Sequence, residues 1–403
     1  MAINPRLKGL PIAVCGDPAQ RRGIVLAKSE AAKRCGVATG DPLWRARQKC
    51  PDIRFVKPHF KVYTGYSRNI QRYYLSHTPF VEPFGLDECW LDVSARDMDV
   101  TRGQVLADRI REDIRRLFDV TVSIGVSFNK VFAKLGSDLK KPDAVTCISP
   151  SGFRQQIWGL PVSALLGVGR STSSRLALMG IQTIGQLAKS DRRQLMRALG
   201  KNGNALWMAA NGFENDPVRR FGETDPRQSL GHGTTLPHDV CDVIQLWPVI
   251  ESLAEKVSFG LQSEQLTGYG LQITVRDASL RFHQYQQRFS HAMVSSRQIA
   301  DYSLMLLNQH YSWLLAIRAF GIRVYDLKPL SEPVQRTWMD YVASLSSASS
   351  DDAVSRCTEV DHVIRSVQGR FGNHSLRRGF QIDAVEGQPG FFPGCTDCRA
   401  ADI

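Results

Sequence analysis

The sequence feature that most constrains this chain is an adjacent acid pair, Asp87-Glu88, enclosed by apolar and β-prone residues. Pro79–Phe84 precedes the pair and Cys89–Val93 follows it, which predicts two short strands with the acids at or near the turn between them. Carboxylates flanked by aromatic and aliphatic residues are costly to bury without a partner, and a divalent cation is a natural one. Acidic residues are also common in solvent-exposed turns. The pair alone therefore leaves a metal site and a solvated turn both open.

A predicted strand and a predicted helix lie downstream of the acid pair. Asp119–Ser127 alternates with period two and predicts the strand, and Phe128–Asp143 contains the helix. The motifs that matter are the acid-pair hairpin, the strand ending in Ser127-Phe128-Asn129-Lys130, the run Phe132-Ala133-Lys134 and the end Lys140-Lys141-Pro142-Asp143. In this order and with little gap, they resemble the Y-family DNA polymerases, the translesion group. The resemblance extends from Asn4 to about Asp383.

The charge of the chain favours a polyanionic partner. Lys and Arg number 51 against 39 Asp and Glu, which gives a net charge of +12 and is typical of proteins that bind nucleic acid or an anionic membrane surface. No apolar run reaches the roughly 18 residues of a membrane span, and Met1–Pro5 lacks a signal-peptide core. We therefore predict no membrane partner and a cytoplasmic, nucleoid-associated protein.

The nine cysteines do not form the pattern of a disulfide framework, because they are odd in number and scattered over 403 residues. Only Cys395-Thr396-Asp397-Cys398 has the spacing of metal ligands. A single pair of this kind is half a zinc site, so we do not predict zinc.

The resemblance implies the fold class. It indicates an α+β multidomain chain with a right-hand polymerase fold, in which the palm is a sheet backed by helices. The expected parts are fingers with part of the palm at 1–60, palm at 61–148, a helix-hairpin-helix thumb at 149–222, an α/β little finger at 228–328 and a flexible C-terminal tail at 329–403.

Two regions are predicted to bind DNA. Gly167-Val168-Gly169-Arg170 forms a turn that exposes backbone N–H groups at a helix N-terminus, where a phosphate oxygen can bind. An ordinary helical hairpin is the alternative. Farther on, alternating segments predict a sheet with helices on one side. The basic residues expected to follow the DNA backbone there are Arg276, Arg288 and Arg323, together with Arg281 and Arg318.

Two lysines are expected to contact the triphosphate of a dNTP. Lys141 aligns with the family lysine that has this role. On the first fingers helix, Ser29–Cys35, the family often carries a Tyr and an Arg, and here those positions hold Glu30 and Lys33. Lys33 remains a candidate as a point charge, whereas Glu30 has no proton to donate at neutral pH. Either lysine is also compatible with a solvated surface position.

A third candidate site lies in the tail. Gln335, Trp338 and Met339 stand where many family members carry a short peptide that binds the sliding clamp. Here Trp338-Met339 replaces the usual Leu-Phe. The resemblance thus implies the sliding clamp as a further partner, beside primer–template DNA and dNTPs.

The start of the sequence departs from the family pattern. Y-family sites use three carboxylates, and the first lies on a strand upstream of an Asn-Pro-x-Leu-Lys-Gly segment, which this sequence begins with at Asn4–Gly9. We expect that strand to be absent, with weaker binding of two metal ions about 3.5–4 Å apart and a less stable palm. Either the natural protein begins upstream or the chain is a remnant that binds DNA, and the retained Asp87 and Glu88 favour the former.

These inferences predict a template-directed DNA polymerase that acts in DNA repair by translesion synthesis. The resemblance implies that Asp87 and Glu88 are catalytic and bind two Mg²⁺ ions. One alternative is a non-catalytic DNA-binding accessory protein descended from such a polymerase. Another is a helix-hairpin-helix DNA-binding protein such as a glycosylase, which leaves the acid-pair hairpin unexplained.

Overall fold

The structure, a computed structural model, describes residues 4–16, 23–94 and 99–331 and isolated positions between 360 and 376. The chain forms two compact units. Among the described residues, one unit comprises those within Met1–Ile12 and Arg54–Thr224, and the other comprises those within Ala13–Ile53 and Asp225–Ile403. None of the helices in the described ranges combines the length and the apolar character of a membrane span.

The N-terminal elements begin and end at capping and turn residues of the sequence. They are a 3-10 helix (Pro5–Leu7), β1 (Ile12–Cys15), β2 (Val25–Lys28), α1 (Glu30–Arg34), α2 (Leu43–Lys49) and β3 (Arg54–Val56). β1 and β2 pair antiparallel. The Ser29 hydroxyl caps α1 by accepting from the Ala32 N–H, and Gly36 ends it with a φ of +82°. The buried Asp41 accepts from Lys49 and from the Ala38 N–H, and these bonds lower its pKa.

The next region holds the acid pair. Its elements are α3 (Phe60–Leu75), β4 (Val81–Phe84), β5 (Glu88–Leu91), α4 (Val100–Phe118), β6 (Ile124–Ser127), α5 (Lys130–Leu139) and β7 (Val145–Ile148). β4 and β5 form an antiparallel hairpin, whereas β6 and β7 are parallel and joined by α5. α4 and α5 pack against β6 and β7.

Two expectations for this region are corrected by the structure. The expectation of one palm sheet is wrong, because no described strand hydrogen-bonds to both pairs and they remain two separate two-stranded sheets. The strand predicted from Asp119 begins only at Ile124. Asp119 adopts a left-handed φ of +51° as the C-cap of α4, which ends the helix instead of starting a strand.

Residues 149–214 are helical. The elements are α6 (Phe153–Ile157), a 3-10 helix (Val162–Ala164), α7 (Arg170–Leu178), α8 (Ile184–Lys189), α9 (Arg192–Leu199) and α10 (Lys201–Ala210). Thr183 and Gln186 form a capping box that starts α8. The helices share a core with α5 that includes Leu176, Leu187 and Leu206. This core fixes the loops between the short helices.

The last described region is a β-α-β-β-α-β arrangement. Its elements are β8 (Ser229–Val240), α11 (Val243–Ser263), β9 (Leu266–Asp277), β10 (Phe282–Met293), α12 (Ser296–His310) and β11 (Ile317–Pro329). The strands form an antiparallel sheet in the order β10-β9-β11-β8. α11 and α12 pack on one face of this sheet, and the buried residues between the layers include Leu253, Leu307 and Ile273. The expectation of a sheet with helices on one side is confirmed.

Candidate active site

The acid pair lies at the tip of the β4–β5 hairpin, as the sequence predicts. Phe84 and Glu88 are the last paired residues, so Gly85, Leu86 and Asp87 form the connecting loop. Gly85 has a φ of +80°, a conformation that glycine adopts without strain. The Asp87 side chain is exposed on this loop, and Glu88 begins β5. The turn therefore presents two adjacent carboxylates at one end of the hairpin.

The residues that follow the pair are less polar and partly buried. The rings of Phe84 and Trp90 lie 4.7 Å apart, and the indole N–H of Trp90 donates to the Lys130 carbonyl at 3.0 Å. Burial, together with the negative charge of Asp87, raises the pKa of the Cys89 thiol to about 11. Because a metal binds the thiolate rather than the thiol, this raised pKa makes Cys89 a weaker metal ligand than an ordinary cysteine.

A single ammonium group joins Glu88 to a second carboxylate. Nζ of Lys134 on α5 lies 3.1 Å from Oε1 of Glu88 and 2.6 Å from Oδ2 of Asp138. Asp138 also accepts from Nζ of Lys141 at 2.7 Å. Burial lowers the pKa of Lys134, but the hydrogen bonds to Asp138 and Glu88 outweigh burial and hold this pKa above its usual value. The cluster is thus a chain of alternating charges from Glu88 to Lys141.

The donor set at the hairpin fits Mg²⁺ that also binds a substrate phosphate. The described part of the chain contains no group of three or more His, Cys, Asp and Glu side chains that could hold a metal ion. Asp87 and Glu88 nevertheless supply two neighbouring hard oxygen donors. Mg²⁺ keeps several waters and is commonly held by one or two carboxylates plus phosphates. The ammonium of Lys134 already occupies one cationic position at Glu88.

The structure gives the two candidate triphosphate lysines different surroundings. Lys141 follows α5, and its side chain is 48% exposed while it pairs with Asp138. Lys33 lies on α1 in the other compact unit, where its ammonium is 3.6 Å from Glu30. Both side chains are accessible to a ligand, and each has one carboxylate partner from its own helix region.

The Gly-Val-Gly turn lies in a helical hairpin, as predicted. Val168 is buried, whereas Gly167, Gly169 and Arg170 on either side of it are exposed. Gly167 has a φ of +89°. Gly169 is the N-cap of α7 and offers no side chain to the N–H groups of the first turn. These N–H groups and the Arg170 side chain share a surface to which a phosphate can bind.

Of the candidate arginines of the last region, Arg276, Arg288 and Arg323 lie on the sheet face opposite the helices. Arg323 pairs in register with Gly231 and Gln272, while the neighbouring positions Ile322 and Val324 are buried. The other arginines have local partners. Arg276 stacks on Phe282, Arg288 pairs with Asp326 at 2.8 Å, the Arg281 N–H donates to Asp277, and Arg318 lies at a bulge of β11.

Several positions on the sheet face opposite the helices, here called the open face, are glycines and carry no side chain. Gly231 and Gly233 on β8 pair with Arg323 and Gly321 on β11, respectively. A Cβ atom added at Gly231 would lie 2.8 Å from the Ile322 carbonyl oxygen. The face therefore combines arginine charge with a surface that a bulky polyanion can approach. The arginines were predicted from the sequence, whereas these glycines were not, because the exposed His232 between Gly231 and Gly233 breaks the alternation that would mark one face of the strand.

The candidate clamp-binding residues Gln335, Trp338 and Met339 lie outside the described residues, as do Cys395 and Cys398. The six cysteines of the described ranges, including Cys89, form no disulfide with one another.

Comparison with known proteins decides the family. The model of the impB/mucB/samB family matches residues 1–138, the model of its C-terminal domain matches 227–337, and the model of the DNA polymerase-iota thumb domain matches 163–214. DNA polymerase IV of Acetivibrio thermocellus is 41% identical over 380 residues, covering 94% of this chain and 93% of that protein. The chain belongs to the Y family of DNA polymerases. DNA polymerase IV of Oceanobacillus iheyensis is 33% identical, over 81% of this chain and 78% of that protein.

Solved structures support the Y-family fold. A Y-family DNA polymerase chimera superposes with a TM-score of 0.73 at 24% identity, covering 81% of this chain and 95% of that chain. An insertion ternary complex of Dbh DNA polymerase gives a TM-score of 0.55 at 23% identity, over 81% and 94%. The expected α+β right-hand fold is thus confirmed. As a Y-family member the chain is a DNA-directed DNA polymerase of the translesion group, and the accessory-protein alternative is not favoured.

Two residues of the ion-pair cluster at Glu88 were not predicted from the sequence as functional candidates. Lys134 and Asp138 are four residues apart on α5, a spacing that brings side chains together on one helix face. This spacing was readable within the predicted helix. The contact of this helix face with Glu88 could not be predicted from the sequence, because it depends on how α5 packs beside the hairpin.

Proposed function

We propose that the chain transfers deoxynucleotides from dNTPs to a primer 3′-hydroxyl with Asp87 and Glu88 as its metal-binding carboxylates. One observation carries this proposal. Glu88 is connected through Lys134 and Asp138 to Lys141, so one carboxylate of the pair and the candidate triphosphate lysine belong to one cluster. A solvated acidic turn does not account for this connection.

In this reaction the residues of the chain bind and orient the substrates. Asp87 and Glu88 provide the negative charge that holds divalent cations beside the hairpin tip. Two Mg²⁺ ions, when bound, would lower the pKa of the primer hydroxyl and neutralise the pyrophosphate leaving group. Lys141 binds the triphosphate as a point charge on a flexible stem, and Lys33 is proposed independently as a nucleotide-binding residue of the same chemical kind.

We further propose that two surfaces hold the DNA. The turn at Gly167, Gly169 and Arg170 binds phosphates through backbone N–H groups, without reading the base sequence. Arg276, Arg288 and Arg323 bind the duplex backbone from the open sheet face. The assignment of 149–222 to a thumb and of 228–328 to a little finger is supported by the positions of the matching family models. Fingers at 1–60, palm at 61–148 and a tail from 329 complete the proposed division.

The biological role that we propose is synthesis across damaged bases in the bacterial cytoplasm, at the nucleoid. The bacterial DNA polymerase IV relatives support it. We also propose that Gln335, Trp338 and Met339 bind the sliding clamp, as a short peptide with two apolar anchors. Clamp pull-down with Trp338→Ala tests this part, and retention equal to that of the unchanged chain would contradict it.

Primer extension on undamaged and abasic templates tests the polymerase proposal. We compare the unchanged chain with the Asp87→Asn/Glu88→Gln double variant and with Glu112→Gln, a control carboxylate that is 73% exposed on α4. The control is expected to extend both primers at the rate of the unchanged chain, and the double variant to be slower than both by roughly 10²-fold or more. Equal extension by the double variant would exclude Asp87 and Glu88 as catalytic ligands. Extension that always stops at the abasic site would contradict the translesion role alone.

A further inference from the structure

Lys134 has no role in the mechanism above, although its ammonium lies between two carboxylates of the site. Its side chain is only 18% exposed, whereas Glu88 and Asp138 are 37% and 46% exposed. The distance to Asp138, 2.6 Å, is shorter than the 3.1 Å to Glu88. Lys134 is therefore a shared counter-ion with two alternative acceptors.

A divalent cation on Glu88 competes directly with this ammonium. Two positive charges a few ångströms apart repel each other, and the repulsion is stronger where water is partly excluded. A half-buried ammonium that loses its only partner is strongly unfavourable. Lys134 avoids that cost, because Asp138 sits one turn along α5 and already accepts its hydrogen bond.

We propose that Lys134 is a positioning residue that pairs with Glu88 before a divalent ion binds and shifts fully onto Asp138 when the ion arrives. This inference rests on the proposed role of Glu88 as a metal ligand. The shift has a consequence for the nucleotide. Asp138 also holds Lys141, so a stronger bond from Lys134 weakens this hold and releases Lys141 toward the triphosphate. Binding of the metal and of the nucleotide thereby favour each other.

Mn²⁺ binding, followed by electron paramagnetic resonance without DNA or nucleotide, tests the inference. Lys134→Met removes the competing ammonium and is expected to tighten Mn²⁺ binding by roughly 1.5-fold to fivefold, the range for one exposed ion pair. Asp138→Asn leaves Lys134 with Glu88 alone and is expected to weaken binding. In the Lys134→Met/Asp138→Asn double variant the weakening disappears, because it requires the ammonium.

Two controls separate this effect from a general change of charge or fold. Lys140→Met removes an exposed lysine from the same segment and is expected to leave Mn²⁺ affinity unchanged. Lys134→Arg keeps the cation and is expected to show no tightening. If Lys134→Met fails to fold, the comparison of Asp138→Asn with Lys140→Met decides the question.

The outcomes distinguish this inference from the proposed function. If Glu88→Gln abolishes Mn²⁺ binding but Lys134→Met weakens it or leaves it unchanged, Lys134 is only a structural support and the inference is wrong. If Glu88→Gln binds Mn²⁺ as well as the unchanged chain, the metal assignment itself fails. The release of Lys141 is tested by dNTP binding in EDTA, where Asp138→Asn is expected to bind more tightly. An unchanged affinity there overturns the link to the nucleotide.

Discussion

The carboxylate of Glu82 on β4 and the ammonium of Lys130 at the start of α5 meet at 3.0 Å. Glu82 also accepts from the Arg219 N–H at 2.9 Å, and Lys130 donates to the Pro217 carbonyl at 3.2 Å. The pair thus ties the hairpin strand, α5 and the segment after α10 to one another. Both side chains are about 15% exposed, so each neutralises a charge that is largely removed from water.

Replacement of Lys130 by Met is expected to destabilise the unit that contains the acid pair by about 2 to 4 kcal/mol. The reason is that Glu82 is left as a partly buried carboxylate without its cation. Urea unfolding measures the effect, with Lys140→Met as the exposed control. A loss below about 0.5 kcal/mol, the level of an ordinary surface substitution, would show that the pair does not support the fold.

Replacement of Gly125 by Ala is expected to disrupt the packing of α5 on β6. A Cβ atom at Gly125 would lie 1.9 Å from the Ala133 carbonyl oxygen and 2.6 Å from the Ser137 nitrogen, so the helix must move. Backbone atoms cannot rotate away, and we expect a loss of about 3 kcal/mol or more in unfolding free energy. Gly159→Ala is the matched control, since its Cβ would meet nothing within 4 Å. Equal stability of the two variants would contradict the close packing.

Replacement of Arg323 by Ala is expected to reduce the salt dependence of DNA binding. Each phosphate neutralised on duplex DNA contributes about −0.9 to the slope of log affinity against log salt concentration, so the slope should become shallower by about one. Fluorescence anisotropy at several salt concentrations measures it. Lys256→Ala, an exposed residue of α11 on the helix side, should leave the slope unchanged. The same slope for Arg323→Ala and the unchanged chain would remove the open face from the DNA interface.

The Asp277 carboxylate predicts an acid-dependent loss of stability. Its pKa is held at about 2, first by the hydrogen bond from Ser279, then by that of His283 at 2.8 Å, with a further bond from the Arg281 N–H. Because the folded pKa lies below the unfolded value of 3.8, the contribution is fully present above pH 4 and is lost as the pH falls toward 2. Asp277→Asn should lower Tm at pH 5, and the difference should shrink toward pH 2. A difference that does not depend on pH would contradict this assignment.

The sequence by itself determined the local structure and the family. The acid-pair hairpin, α2 at Leu43–Lys49 and the start of α11 at Val243 follow from turn residues and hydrophobic periodicity, which are properties of neighbouring residues. The polymerase function followed from the order of several motifs, since Asp87-Glu88 alone is equally compatible with a solvated turn. The alternating pattern wrongly predicted a strand from Asp119. In the structure Asp119 is the C-cap of α4.

Only the tertiary structure decided which charges meet. Lys130 and Glu82 are 48 residues apart, and Lys134 reaches Glu88 from a different element of the fold. Such contacts depend on which face of α5 turns toward the hairpin. The helical pattern of the sequence predicts which face of α5 is buried, but it does not predict which element packs against that face. The separation of β4–β5 from β6–β7 into two sheets has the same origin, because strand pairing between distant segments is set by packing and backbone hydrogen bonding rather than by local propensity.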